Sequence, residues 1–316
     1  MEYRKLISFG KSSFVVSLPK PWVTKNKLSK GDLIYFDEVP NGLVLNHREG
    51  SNNQEESEIT IDVNGKSIRQ IQREIISAYI RNFKSVTLTG EEVKDKAREI
   101  QNIIQNLVAL EVMEQTSKRI LAKDFLNMKE TDPQLLVRKM DIIVRAMIED
   151  CKLMFKEDVY DSIYHRDNDV NKLSFLLYRT VRYGMDNSGA IFKKFKFTSN
   201  DLLRYWWVTY NLESIGDDAK RIARCIKKME LNKESQAEFL EIFSALEKNY
   251  LDMMRGFYKQ DSELAHDVHE KKRMCVQDCE AFYSKINDLT WSGYLVSQLK
   301  SLATNIHSIG RSIYQY

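Results

Sequence analysis

The chain has 316 residues, 43% of them hydrophobic and 29% charged, with 48 Lys+Arg against 45 Asp+Glu and a net charge of +3. This is ample apolar material for packed cores, so disorder is excluded as the main theme, and the small net charge by itself argues for no nucleic-acid partner. No run approaches the ~20 apolar residues that cross a bilayer and no apolar block precedes a small-residue cleavage site, so the expectation is a cytoplasmic protein without membrane insertion.

Taken in chain order, residues 1–47 read as short strands: Arg4 to Phe9, a Gly10-Lys11-Ser12-Ser13 turn, Phe14 to Leu18, Leu33 to Phe36, an Asn41-Gly42 turn, and Leu43 to Asn46. A short helical turn begins at Pro21. Such a module is too small to build its own core, which predicts dimerisation. Residues 48–57 are polar and without periodicity, as a linker is. Beyond them Ile59, Ile61 and Val63 alternate as a strand, and Ile68, Ile71, Ile75, Ile76 and Tyr79 mark a helix face. Val86 and Leu88 alternate again, and Val93, Ala97, Ile100, Ile103, Ile104 and Leu107 form another helix, giving a β-α-β-α connector over 58–130.

All four prolines fall at or before Pro133, which leaves the rest free for long helices. Six are expected, over 134–156, 160–185, 199–229, 233–259, 262–287 and 290–315, with breaks near Gly189, Asn232 and Asp261. Asn211-Leu212-Glu213-Ser214-Ile215-Gly216 is echoed 94 residues later by Asn305-Ile306-His307-Ser308-Ile309-Gly310. The third helix therefore matches the sixth, and 134–316 divides into two three-helix units, 134–229 and 233–316. Cys151, Cys225, Cys275 and Cys279 lack zinc-type spacing and read as buried thiols.

Two stretches carry family resemblances. Arg4-Lys5-Leu6, Gly10-Lys11-Ser12-Ser13-Phe14-Val15-Val16, Leu18-Pro19-Lys20-Pro21-Trp22 and Lys30-Gly31-Asp32 together resemble the swapped-hairpin DNA-binding domain of the SpoVT/AbrB type. Asn211 through Ala219 resembles the helix-three signature of PhoU, the phosphate-uptake regulator, whose fold is a double three-helix bundle. The combination is similar to archaeal PhoU-like regulators with an AbrB-type head. It implies a multidomain protein: a small all-β swapped-hairpin head, an αβ connector and an all-α PhoU-like C-terminal domain. The function implied is a non-enzymatic, DNA-binding transcriptional regulator of phosphate uptake, homodimeric or larger, that also contacts a phosphate transporter or sensor component. The alternatives are an adaptor whose head only dimerises, or an antitoxin-like repressor.

The candidate sites follow. Residues 1–30 hold seven cations against one acid, Glu2, a surface suited to phosphates or, equally, to keeping a sheet edge soluble. The resemblance assigns Arg4 and Lys11 to double-stranded DNA, with Lys5, Lys20 and Lys25 beside them. Val23 and Thr24 stand where the family often has arginines, and lysine, a point charge, cannot make arginine's bidentate contact to guanine, so the base selectivity expected is modest or shape-based. Trp22 reads as an apolar plug and Gly31 as a turn. Glu213 and Asp217 share a helix face and repel unless a cation is near. One reading neutralises them with Lys220 and Arg221. The other, implied by the resemblance, makes them ligands of a divalent or iron ion with Asp167, whose partner position is Asn171, or Asp169 if the register shifts. In the second unit His307 and Arg311 take the places of Glu213 and Asp217, and Lys271, Lys272 and Arg273 align with the Asp167 stretch, so a metal is not expected there. His266 and His269 read as exposed. The run Lys220, Arg221, Arg224, Lys227 and Lys228 reads as helix-dipole compensation, and Tyr205, Trp206, Trp207 and Tyr210 as core and inter-bundle packing.

Overall fold

A computed structural model describes residues 3–39, 42–47, 57–286 and 290–314. Asn41 of the expected turn and residues 48–56 of the expected linker lie outside the described residues. The chain divides into two compact units, Met1–Asn53 and Gln54–Tyr316.

The first unit holds two separate antiparallel hairpins. Strands β1 (Ile7–Phe9) and β2 (Ser13–Val15) pair with Ser8 opposite Phe14. Between them Gly10 takes φ +70°, the left-handed turn conformation that glycine adopts without steric cost. Helix α1 (Lys20–Lys25) starts with Pro21 in its first turn, where a missing N–H leaves nothing unsatisfied. Strands β3 (Tyr35–Val39) and β4 (Gly42–Asn46) form the second hairpin, shifted later than the sequence alternation suggests. No described residue of this unit is buried within one chain, and Phe9, Phe14, Leu33 and Phe36 are all more than 60% exposed. A two-stranded hairpin without a covered apolar face is marginal in water.

The second unit opens with a four-stranded sheet in the order β5-β6-β8-β7, built from β5 (Glu58–Asp62), β6 (Ser85–Thr89), β7 (Leu110–Gln115) and β8 (Arg119–Asp124). Helix α2 (Ile68–Ile80) crosses over between the parallel pair β5 and β6, and α3 (Val93–Gln105) follows β6. Ser67 and Gln70 close a capping box at the start of α2. The hairpin β7–β8 was not expected. Most of Leu110-Glu111-Val112-Met113-Glu114-Gln115 faces solvent and a register shift interrupts the pairing between Val112 and Glu114, so its hydrophobic alternation is faint. Ile71, Ile75, Val86, Leu88, Ile100, Ile104 and Ile120 are fully enclosed in this module.

Seven helices complete the unit: α4 (Pro133–Leu153), α5 (Tyr160–Asp186), α6 (Ser188–Phe195), α7 (Ser199–Lys228), α8 (Lys233–Lys259), α9 (Ser262–Tyr283) and α10 (Ser292–Tyr314). Asp132, Thr198, Asn232 and Asp261 cap four of them with side-chain oxygens. Helix α6 occupies the stretch around Gly189 that sequence reads as a break. Helices α4, α5 and α7 make one three-helix bundle and α8, α9 and α10 a second, sharing one continuous core. Polar bonds fix the junction. Asn305 Nδ2 donates to Asp218 Oδ2 at 2.8 Å and Trp207 Nε1 to the Ser308 carbonyl at 2.7 Å. On the α4–α8 side, the hydroxyls of Tyr250 and Tyr258 donate to the two oxygens of buried Asp141.

The αβ module keeps its own core but is docked on α5 within the same compact unit. Arg179, fully buried, donates two bonds to Asp124 at 2.8 and 2.6 Å and one to Asn82 Oδ1 at 2.8 Å, and its guanidinium lies 4.5 Å from the Tyr79 ring centre. Among the described residues no helix is long and apolar enough to cross a membrane.

Candidate functional site

Helices α5 and α7 bring Asp167, Glu213 and Asp217 to one face of the first bundle. The turn of α7 after Asp217 then sends Lys220 into the gap. Its ammonium donates to Asp167 Oδ2 at 2.6 Å and to Asp217 Oδ1 at 2.7 Å, while Arg221 holds Asp217 Oδ2 at 2.8 Å. Asn171 donates its amide to Asp167 at 3.3 Å, and Asp169 is exposed on another face.

Electrostatics follow from burial. Asp167 is nearly inaccessible, and that burial raises its pKa more than the bond to Lys220 lowers it. Lys220 gains from two carboxylates at once, which outweighs its own desolvation and raises its pKa. Glu213, half buried and without a hydrogen bond among the described residues, is raised by burial and by the charges of Asp217 and Asp167. This is the arrangement in which a lysine and an arginine supply the positive charge that the paired acids require.

A hard or borderline divalent ion takes converging oxygens and repels an ammonium. Here the ammonium of Lys220 bridges two of the three oxygen donors, and among the described residues no three His, Cys, Asp or Glu side chains converge on a point. The residues as arranged do not fit the ion that Glu213, Asp217 and Asp167 were expected to hold.

In the second bundle the corresponding positions reverse their charge. His307 on α10 is buried, and its Nε2 meets Nδ1 of His269 on α9, with ring centres 4.1 Å apart. Sequence spacing did not show this pair, since the two residues lie on different helices and His269 read as merely exposed. His266 stacks on Tyr314, and the thiols of Cys275 and Cys279 are buried, with Cys275 accepting from Asn249 at 3.3 Å.

Other expectations separate in the same way. Arg224 donates to the Tyr160 hydroxyl, Lys227 pairs with Asp158, and Lys228 lies over the Trp291 ring, so the basic run is held by local partners. Tyr205 is core and Trp207 joins the bundles, but Trp206 and Tyr210 are 41% and 53% exposed. The expectation that all four aromatics pack inside fails for those two, because they lie on the outer face of α7, with Trp206 against Tyr178. In the first unit Arg4, Lys5, Lys11, Lys20 and Lys25 are all exposed, and Trp22 is half buried.

Comparison with known proteins gives three results. Residues 137–226, which run from within α4 to within α7, match the model of the PhoU domain. No curated protein matches the chain. The crystal structure of PhoU from Pseudomonas aeruginosa is similar, at 15% identity and a TM-score of 0.40, covering 59% of this chain and 92% of that one.

Proposed function

We propose that the protein is a DNA-binding transcriptional regulator of phosphate uptake, in which the first unit binds DNA as a homodimer and the helical body takes the regulatory input. The observation that carries this reading is the first unit's composition. It has apolar hairpins in which no described residue is buried, and five exposed cations at Arg4, Lys5, Lys11, Lys20 and Lys25. Pairing with a second copy covers the first and doubles the second about a two-fold axis, which suits two half-sites of a duplex. The match of residues 137–226 to the PhoU domain supports phosphate homeostasis as the process served. Regulation is then a population shift, in which occupancy of the body favours one dimer geometry and so one operator affinity.

Genome-wide mapping of DNA bound by the protein in high and low phosphate tests this. Sites enriched near phosphate-transport genes, differing between the two conditions, are the expected result. An absence of enriched sites in both conditions would leave the adaptor reading, with a head that only dimerises.

A further inference from the structure

The second bundle carries a site that is the charge-reversed counterpart of the acidic face of the first. Glu213 and Asp217 become His307 and Arg311, and the helix opposite supplies His269 and Lys272 in place of Asp167. We propose that His269, Lys272, His307 and Arg311 form a binding site for a phosphate-type oxyanion.

Four observations on this face converge. His307 and Arg311 are four residues apart on α10 and share a face, and His269 and Lys272 are three apart on α9, so the two pairs oppose each other across one helix interface. His307 is 6% exposed, yet its Nδ1 has no hydrogen-bond partner, which is an expensive omission for a buried polar atom. His307 Nε2 and His269 Nδ1 share one proton between them, and the tautomer in which His269 donates puts the proton of His307 on Nδ1, where it can be given to an anion.

Lys272 and His307, with Asn249 and Cys275, line a small cleft with room for about one water or one anion oxygen, and no carboxylate lines it. Finally, neither Lys272 nor Arg311 has an ion pair or hydrogen bond among the described residues, whereas Lys220 and Arg221 of the first bundle are fully engaged. The depressed pKa of His307, about 4 from burial and then from His269, Lys272 and Arg311, reflects the same uncompensated positive field. Two cations beside the imidazoles repel a metal ion and attract an anion. One phosphate oxygen seated in the cleft would accept from His307 Nδ1, and the others would meet Lys272 and Arg311 by charge-assisted bonds.

Anion binding at this face is independent of DNA binding. A chain with no affinity for DNA would still take the anion. The test is titration calorimetry of the full chain with inorganic phosphate, sulfate and the phosphomonoester AMP, at constant ionic strength set with chloride. Saturable binding of phosphate or AMP is expected, weakened at least tenfold by Lys272→Gln with Arg311→Gln and also by His307→Gln. Lys272 and Arg311 hold no hydrogen-bond or ion-pair partner among the described residues, so the double variant should unfold at the wild-type temperature without phosphate. Preference between inorganic phosphate and AMP identifies a free anion or an esterified one as the source. No saturable binding of any of the three anions by wild type, or binding unchanged in the folded double variant, overturns the proposal.

Discussion

A single side chain decides the character of the acidic face on the first bundle. Lys220 bonds Asp167 and Asp217 together, so Lys220→Ala leaves two carboxylates facing each other with only Arg221 in reserve, at a cost of about 2–3 kcal/mol, less than the ~3–5 of a fully enclosed pair because Asp217 keeps one partner. The wild type should keep its melting temperature on chelator treatment, while the variant should regain stability when Mn²⁺ is added. A wild type destabilised by chelator would show that a metal, not the lysine, holds the acids. Asp218, one residue along and 2% exposed, behaves differently: burial raises its pKa from the ordinary 3.8 to about 6, against the hydrogen bonds from Ser301 and Asn305. Because the folded value lies above the unfolded one, the stability this group contributes is complete below pH 3.8 and is lost as the pH rises through about 6. Asp218→Asn keeps an acceptor for Asn305 and removes that loss. It should match wild type near pH 3.8 and exceed it by roughly 2–3 kcal/mol near pH 8, as read by urea unfolding at both pH values. A variant weaker than wild type at the higher pH would mean that the ionised carboxylate is a net stabiliser.

Elements meet through a few buried polar joints, and the joint at Arg179 carries the αβ module. Its guanidinium has no solvent to fall back on, so Arg179→Ala strands the Asp124 carboxylate with Lys84 as its remaining cation and should cost about 3–5 kcal/mol. Limited proteolysis should then cut the chain between the module and α4, at 125–132. A variant that unfolds as cooperatively as wild type and resists cleavage there would show that apolar packing around Phe175 is sufficient. This joint was illegible in sequence, where Arg179 is one more cation in a helix and its partners lie 55 and 97 residues away. The long helices were legible, because apolar spacing over twenty or more residues and the breaks near Asn232 and Asp261 repeat one message. Strand β7 was not, since its alternation is weak and faces solvent. The acidic face was half legible. Helical spacing put Glu213 and Asp217 together, but only the path of α5 against α7 shows Lys220 reaching Asp167.

At the scale of the whole molecule, two units with opposite needs are joined in one chain. The body buries its apolar residues by itself, whereas none of the described residues of the first unit is buried. That contrast predicts a dimer held by the first unit, and it sets the terms for a test of DNA contact separate from assembly. Arg4 precedes β1 and Lys11 sits in the turn before β2, so neither supplies the apolar area that pairing would cover. Changing both to Ala should leave the dimer intact in sedimentation. If each contacts a backbone phosphate in both copies, four contacts are lost. The plot of log affinity against log salt should shallow by about 3 to 4, at ~0.9 per phosphate. Lysine and arginine at phosphates act alike on every sequence, so the loss should fall equally on operator and unrelated duplexes. A dimeric double variant with the wild-type slope would remove Arg4 and Lys11 from the DNA surface. A loss confined to one sequence would mean instead that the pair reads bases, and that Arg4, the only one of the two able to grip guanine with a planar fork, does so.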